Sequence, residues 1–317
     1  MFQGLPLRTV LFFRKYRRLH GGHLKVWHYF NHTLAADGFD ARVLFDVDSN
    51  WDASNPWNGV RDLVVESPSD AEAEAYFVAG RDWQRMEALG LLDSDLPIIN
   101  FIQHTRHADD WSIQSRYLTR KAIRICVSDE VAQAVKSAGS RGQTIVIPNS
   151  IDVPVLADSC RERPVDLLIA GLKQPEMAIQ AAAALQMPGR TIEVLDDHVP
   201  RETFLARMSS ARDVLFLPNK EEGFYLPALE GMALGALVVC PDCIGNRGYM
   251  NGRNALFPSY ELPALIEAAE TALTMPDDAR GEILKQARET VARHQPEAER
   301  AAFGKVLRNL DQLWSEA

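Results

Sequence analysis

The run from Asp213 to Pro258 constrains this chain more than any other stretch. It opens with four apolar residues, Val214 to Leu217, long enough for a buried strand, and Pro218 then removes the N–H that a central ladder would need. Asn219 to Tyr225 is a polar turn carrying Glu221, Glu222 and Gly223. Pro227 follows in the first turn of a helix expected to run to about Leu234, with Gly235 as its stop. Leu237 to Val239 is the next apolar strand. Strand, loop, helix and strand in that order form the repeating unit of a parallel α/β sheet. The spacing puts Glu222 in the loop at the carboxyl end of the first strand and Glu230 about one turn into the helix. Backbone N–H groups between them suit an anion, and two carboxylates suit neutral hydroxyls.

The landmarks of this run are Glu222-Gly223-Phe224, Leu226-Pro227, Leu229-Glu230, Met232-Ala233, Gly235, Val238-Val239, Gly245, Asn251-Gly252 and Asn254-Ala255-Leu256-Phe257. In this order they resemble the donor-binding signature of retaining, nucleotide-sugar-dependent glycosyltransferases of the GT-B fold, group 1 (glycosyltransferase family 4-like). Sucrose synthases and many polysaccharide and glycolipid transferases belong to that family. Seven residues separate Glu222 from Glu230, as they separate the family's paired glutamates. The resemblance implies two Rossmann-like, doubly wound domains facing a cleft, with a C-terminal helix crossing back to the first domain.

A length of 317 residues exceeds what one hydrophobic core usually reaches, so two domains are expected, with 46% hydrophobic residues to fill them. The net charge of −9 argues against a non-specific grip on nucleic acid or anionic membrane, although a local basic patch can still act. The four cysteines, Cys126, Cys160, Cys240 and Cys243, are scattered; Cys240-Pro-Asp-Cys243 lacks the second pair that would complete a metal site. No apolar run approaches the roughly 18 residues of a membrane span, and no export signal is evident, so a cytoplasmic protein is expected.

Along the first domain, 1–155, strands are expected over Thr9 to Phe13, Ala41 to Phe45, Asp62 to Val65, Ala75 to Val78, Pro97 to Ile102, Ile123 to Val127 and Thr144 to Ile147. Between the first two stands the basic window Arg14-Lys15-Tyr16-Arg17-Arg18, then Gly21 and Gly22, and a helix with Val26, Tyr29, Phe30, Thr33 and Leu34 on one side. The glycines permit a ligand to approach the backbone closely. Arg14, Arg17 and Arg18 are candidate contacts to phosphate or acceptor; a solvated surface turn is the alternative. The fifth strand ends in Gln103-His104-Thr105-Arg106-His107, at the strand end where open α/β sheets place ligands. The resembled family carries a histidine at about this point facing sugar and acceptor. His104 matches better than His107, and both stay candidates. Pro148-Asn149-Ser150-Ile151-Asp152 resembles the family's interdomain signature, with Ser150 in place of its glycine.

Val153 to Pro164 reads as the linker to a second domain, 156–296, which opens with the strand Val165 to Ala170. Here the chain departs from the family, which follows this strand with an arginine and, five residues later, a lysine that hold the donor pyrophosphate. Leu172 and Met177 occupy those positions. Lys173 is the nearest cation, with Lys220 a further candidate. The last segment, 297–317, places Phe303, Val306, Leu307, Leu310 and Leu313 at helical spacing and is expected to brace the first domain; an amphipathic membrane or oligomer contact has the same pattern.

The resemblance therefore implies a hexosyltransferase-like enzyme, retaining and metal-independent, with no permanently bound cofactor and a UDP- or GDP-sugar as co-substrate. His104 and Glu222 are the catalytic candidates, Glu222 at a hexose hydroxyl. Gly21, Gly22, Lys173, the amides of Gly223, Phe224, Tyr225 and Leu226, and Glu230 at a ribose hydroxyl are the donor-binding ones. The acceptor is open among a glycan, a lipid-linked glycan, a protein and a nucleic acid, with peripheral membrane contact allowed. A non-catalytic sugar-nucleotide-binding or scaffold protein of the same fold is the alternative, and the missing arginine–lysine pair is its support.

Overall fold

The apolar runs become strands of two parallel sheets in the computed structural model, which describes residues 7–18, 20–155 and 163–317. The chain divides into two units, Met1–Asn149 with Glu297–Ala317, and Ser150–Pro296. Residues 156 to 162 of the expected linker, with Cys160, lie outside the described residues.

The first unit contains β1 (Arg8–Arg14), α1 (Gly21–Leu34), β2 (Phe39–Phe45), β3 (Val64–Val65), β4 (Ala75–Ala79), α2 (Asp82–Ala88), β5 (Ile98–Ile102), β6 (Ile123–Cys126), α3 (Asp129–Ser137) and β7 (Thr144–Val146). Its seven strands lie in the order β3-β2-β1-β4-β5-β6-β7, and every pairing is parallel. Helix α3 starts where Ser128 turns its hydroxyl to accept from the Val131 N–H at 3.3 Å. The strand expected over Asp62 to Val65 is shorter than its sequence suggests. Pro56–Leu63 winds instead as a 3-10 turn, started by the Asn55 side chain accepting from Trp57 N at 3.1 Å and held by the buried Trp57 ring.

The second unit contains β8 (Val165–Ala170), α4 (Pro175–Ala184), β9 (Ile192–Leu195), α5 (Arg201–Ser210), β10 (Ala211–Phe216), α6 (Leu226–Ala233), β11 (Leu237–Val239), α7 (Leu262–Thr274) and α8 (Asp277–Ala292). Its sheet runs β11-β10-β8-β9, again parallel. Both faces are buried, which is why its strands read as near-continuous apolar runs. Leu168, Ala170, Val214, Phe216 and Val238 pack on one side with Leu229 and Met232 of α6 and Ala287 and Val291 of α8. Leu167, Ile169, Leu215, Leu237 and Val239 pack on the other with Ala178 and Ala181 of α4 and Leu265 and Ala269 of α7. Gly235, at φ +75°, ends α6 in the left-handed conformation that a side chain would strain.

The chain then returns to the first unit through α9 (Pro296–Arg308) and α10 (Leu310–Ser315). Phe303 sets its ring edge-on against Tyr29, centroids 4.7 Å apart. Beside it the Lys25 ammonium of α1 donates to Glu299 Oε1 at 2.5 Å, and His32 Nε2 lies 3.0 Å from Glu299 Oε2. Lys25 and Glu299 are each only 1% exposed, so a buried ion pair joins residues 274 positions apart.

Candidate functional site

In a parallel sheet the strand order reverses where successive connections leave on opposite sides, and the carboxyl ends of the strands open there to form a ligand crevice. The second unit reverses between β8 and β10. The loop after β8 carries Lys173, the loop after β10 carries Glu222, and the two meet: Lys173 Nζ donates to Glu222 Oε1 at 2.5 Å. Asn219 N donates to the same oxygen at 3.0 Å. Glu222 is thus a nearly buried, fixed acceptor, whereas the Lys173 side chain is 41% exposed and its ammonium lies 5.3 Å from the Tyr225 ring centroid. Lys220 is exposed, with its ammonium 5.3 Å from the centre of the Tyr260 ring.

Glu230 projects from α6 with 3% of its side chain exposed, and its Oε1 pairs at 2.5 Å with Arg201 Nη2. Arg201 opens α5, after the loop that follows β9. Sequence reading missed it, because no motif surrounds it and the pairing depends on how α5 and α6 pack.

The Glu222 loop is clamped from behind. A Cβ added to Gly245 would lie 2.7 Å from Glu222 Cβ, 2.9 Å from Tyr225 N and 3.1 Å from Phe224 N, so only glycine permits this approach. Gly245 O accepts the Tyr225 N–H at 2.8 Å, and the Tyr249 hydroxyl donates to Tyr225 O at 2.5 Å. Asn246 caps the turn by accepting from Cys243 N at 3.1 Å and donating to Pro241 O at 2.9 Å, while Asn254 donates to Tyr249 O at 2.7 Å. These bonds correct one expectation. The amide of Tyr225 is satisfied by Gly245 O, and that of Leu226 by Phe224 O at 3.2 Å, so neither is offered to an anion. Gly223 and Phe224 remain as the amide candidates.

Leu172 and Met177, at the positions where the resembled family has cations, pack against the apolar clusters on the two faces of the sheet. Cys240 and Cys243 are free and buried; burial drives the Cys243 thiol up to about 12 and the Cys240 thiol well above its usual value, so both stay protonated and act as core. Among the described residues no cluster of three or more His, Cys, Asp or Glu is arranged to hold a metal ion.

The first unit reverses between β1 and β4. There Arg14, expected to face a ligand, turns inward instead: its Nη1 donates to Asp82 Oδ2 at 2.7 Å, and its Nη2 lies 2.5 Å from His23 Nδ1. Its side chain is 6% exposed, because the whole second part of β1, Val10 to Arg14, is buried. Burial, with Arg14 and His20 adjacent, holds His23 down at about 2, hence neutral. Arg17 stays at the surface, paired to Asp48 at 2.5 Å, and Arg18 is exposed.

Gly21 and Gly22 open α1, whose first turn is capped by His20 Nδ1 accepting from Gly22 N at 3.1 Å. Gln103, at the end of β5, donates from its side chain to Gly22 O at 3.3 Å, which brings the glycine loop beside His104. His104 in turn caps the 3-10 turn Thr105–Ala108 by accepting from Arg106 N at 3.1 Å. His107 lies in that turn, and burial, reinforced by the charges of His104 and Arg106, lowers it to about 3, which keeps it neutral at physiological pH. Arg14 and Asp82, His23, the glycine loop and His104 thus gather at the carboxyl edge of one sheet.

The chain is similar to known proteins in one family match and in fold. Residues 152–275 match the family model described as "Glycosyl transferases group 1". No curated protein sequence matches the chain. Among solved structures, the chain is similar to the Anabaena HepE protein in complex with UDP and glucose, at 14% identity and a TM-score of 0.76 over 96% of this chain and 100% of that one. It is similar to a sucrose-phosphate synthase from Thermosynechococcus elongatus, at 14% identity and a TM-score of 0.72 over 96% and 99%. A UDP-forming alpha,alpha-trehalose-phosphate synthase from Burkholderia xenovorans gives 12% identity and a TM-score of 0.67 over 96% and 99%. The family match lies within the second unit, and the similar solved structures share the two-unit GT-B fold.

Proposed function

We propose that this protein moves a sugar from a nucleotide-sugar donor, a UDP- or GDP-sugar, to a hydroxyl-bearing acceptor with retention of the anomeric configuration. The observation that carries this reading is the pair Glu222 and Glu230, both buried, each on a cation, at the carboxyl edge of the second sheet. Residues 156–296 act as the donor domain in this reading, and UDP bound to similar folds supports a uridine donor. Glu230 takes a ribose hydroxyl, Glu222 a hexose hydroxyl, and the amides of Gly223 and Phe224 the phosphate or sugar. Residues 1–155 take the acceptor, with His104 at the sugar and acceptor and Arg17, Arg18 and His107 as candidate phosphate or acceptor contacts, braced by 297–317; Gly21 and Gly22 stay donor-binding candidates. The free thiols of Cys126, Cys240 and Cys243 suit a reducing, cytoplasmic setting. Among the described residues no helix is long and apolar enough to cross a membrane.

In the reaction, the bond from the anomeric carbon to the donor phosphate breaks, its electrons pass to the phosphate oxygen, and the acceptor oxygen bonds to the same face of the sugar. The acceptor's proton goes to the departing phosphate. Glu222, with two donors on Oε1, acts as a fixed acceptor for sugar hydroxyls rather than as a nucleophile. Lys173 is close enough to the same loop to neutralise charge growing on the leaving phosphate, which helps the transition state more than the bound donor.

Two outcomes test these roles. Glu230→Ala is expected to weaken UDP binding by roughly 10- to 150-fold, the loss of a charged hydrogen bond of about 1.5–3 kcal/mol, with turnover at saturating donor changed much less. Isothermal titration of wild type and mutant measures it, and equal affinities overturn the assignment. Lys173→Ala is expected to lower turnover of a UDP-sugar by about 10-fold or more with a smaller loss in affinity. Parallel Ala substitutions of Arg17, Arg18 and Lys220 are the controls; wild-type turnover in Lys173→Ala, with loss in one of those three, moves the phosphate cation elsewhere.

The second reading, a non-catalytic nucleotide-sugar-binding protein, is favoured by Leu172 and Met177, which are apolar packing residues where the resembled family has its two phosphate cations. Screening a panel of nucleotide sugars for thermal stabilisation and then for hydrolysis separates the two: stabilisation without hydrolysis or transfer to any acceptor supports binding alone.

A further inference from the structure

We propose that Arg201 is a positioning residue of the donor site: it orients the Glu230 carboxylate through Oε1, so that Oε2 meets the ribose of the nucleotide. The inference rests on the reading that Glu230 binds ribose.

Three observations carry it. The Glu230 side chain is 3% exposed, and a carboxylate withdrawn so far from water loses hydration that a close cation offsets. Arg201 Nη2 is that cation, 2.5 Å from Oε1, while its own side chain stays 29% exposed and so keeps part of its solvation. Its location is otherwise unfavourable. Arg201 is the first residue of α5, a ten-residue helix, where the positive end of the peptide dipoles disfavours cations. An arginine there is best explained by its partner on α6. Because a guanidinium is planar and presents its donors in a rigid fork, the contact fixes the direction of the carboxylate.

An arginine in this place has two ways to aid a nucleotide, and they differ in what they sense. Acting through Glu230, it matters only to a ligand with the ribose hydroxyl that Glu230 recognises. Touching phosphate directly, it matters equally to a ligand without that hydroxyl. The probes are UDP and 2′-deoxy-UDP, titrated calorimetrically into wild type, Arg201→Gln, Arg201→Lys and Glu230→Ala, with melting temperatures and UDP-glucose turnover taken on the same preparations.

In wild type UDP is expected to bind at least 10-fold more tightly than 2′-deoxy-UDP. Arg201→Gln is expected to weaken UDP about 10-fold and leave 2′-deoxy-UDP within about 2-fold, collapsing the preference, while turnover at saturating UDP-glucose changes less than about 3-fold. Arg201→Lys restores part of the UDP affinity because it keeps the charge and loses the fork. The double variant Arg201→Gln/Glu230→Ala is no weaker for UDP than Glu230→Ala alone. Equal weakening of both nucleotides by Arg201→Gln overturns the proposal and makes Arg201 a phosphate ligand. A lowered melting temperature with unchanged affinities overturns it in favour of a purely structural ion pair. Tighter UDP binding in Arg201→Gln also overturns it, for Arg201 then competes with the ribose. If Glu230→Ala leaves UDP affinity unchanged, the ribose reading itself fails, an outcome distinct from failure of the arginine alone.

Discussion

Glu299→Ala is expected to destabilise the first unit by about 3–5 kcal/mol, the cost of leaving one partner of a buried ion pair behind. The Lys25 ammonium stays buried when its carboxylate is gone: it is 1% exposed, with His28 Nδ1 3.1 Å from Nζ. His32 loses the same carboxylate. Urea denaturation followed by the fluorescence of Trp27 and Trp57, ring centroids 5.1 Å apart within this unit, would report it. The companion variant Lys25→Met/Glu299→Leu removes both charges and is expected to recover most of the loss, because a well-packed apolar pair avoids desolvating two ions. If Glu299→Ala shifts the midpoint no more than a surface substitution does, the α1–α9 contact is not what holds the C-terminal segment in place.

The second large effect is expected at Gly245. Gly245→Val should weaken UDP binding by about 100-fold or more while leaving the core of the second unit folded. Even the first carbon of a side chain would lie within 3 Å of Glu222 Cβ and of the Tyr225 nitrogen, and a backbone atom cannot swing aside as a side-chain tip can. Relief has to come from moving the whole Glu222–Tyr225 loop, at roughly 1–3 kcal/mol for crowding a packed site and more for a branched residue. That movement also breaks the Tyr225 N–H bond to Gly245 O. The damage is local because Gly245 lies in the 3-10 turn Ile244–Asn246, outside the strands. Circular dichroism and UDP titration of the same sample check both halves, and near wild-type UDP affinity would mean that the loop tolerates displacement.

The parallel architecture was legible because strands buried on both faces leave apolar runs: Val165–Ala170 and Leu237–Val239 stand in the sequence much as they stand in the sheet. The ends of α6 were legible from Pro227 and Gly235. Asp46 to Asp70 was not, because a 3-10 turn has no long hydrophobic period and depends on the Asn55 cap and a single buried Trp57. The placement of Glu222 in a loop and Glu230 in a helix could be read, but their ion pairs could not: Lys173 lies 49 residues from Glu222, and Arg201 meets Glu230 only once α5 packs beside α6. The window Arg14 to Arg18 misled for the opposite reason. Five neighbouring residues look like one basic patch, yet the end of a strand divides them, sending Arg14 inward to Asp82 and leaving Arg17 outside with Asp48. The amides of Tyr225 and Leu226 were misread because a sequence displays every N–H at a helix start and none of the carbonyls that fold over it.

The return of residues 297–317 to the first unit also has a consequence for synthesis on the ribosome. The second unit is continuous, so all of its residues have been made by Pro296, whereas the first still lacks Glu299 and Phe303 at that moment. At roughly 5–20 residues per second, translation needs on the order of 8 to 30 seconds to travel from Asn149 to Glu299. Through that interval Lys25 has no carboxylate from α9, and Tyr29 lacks the Phe303 ring that packs against it. The unit made first is therefore the one finished last, and a chain cut short just after Pro296 would release a complete second unit tethered to an incomplete first.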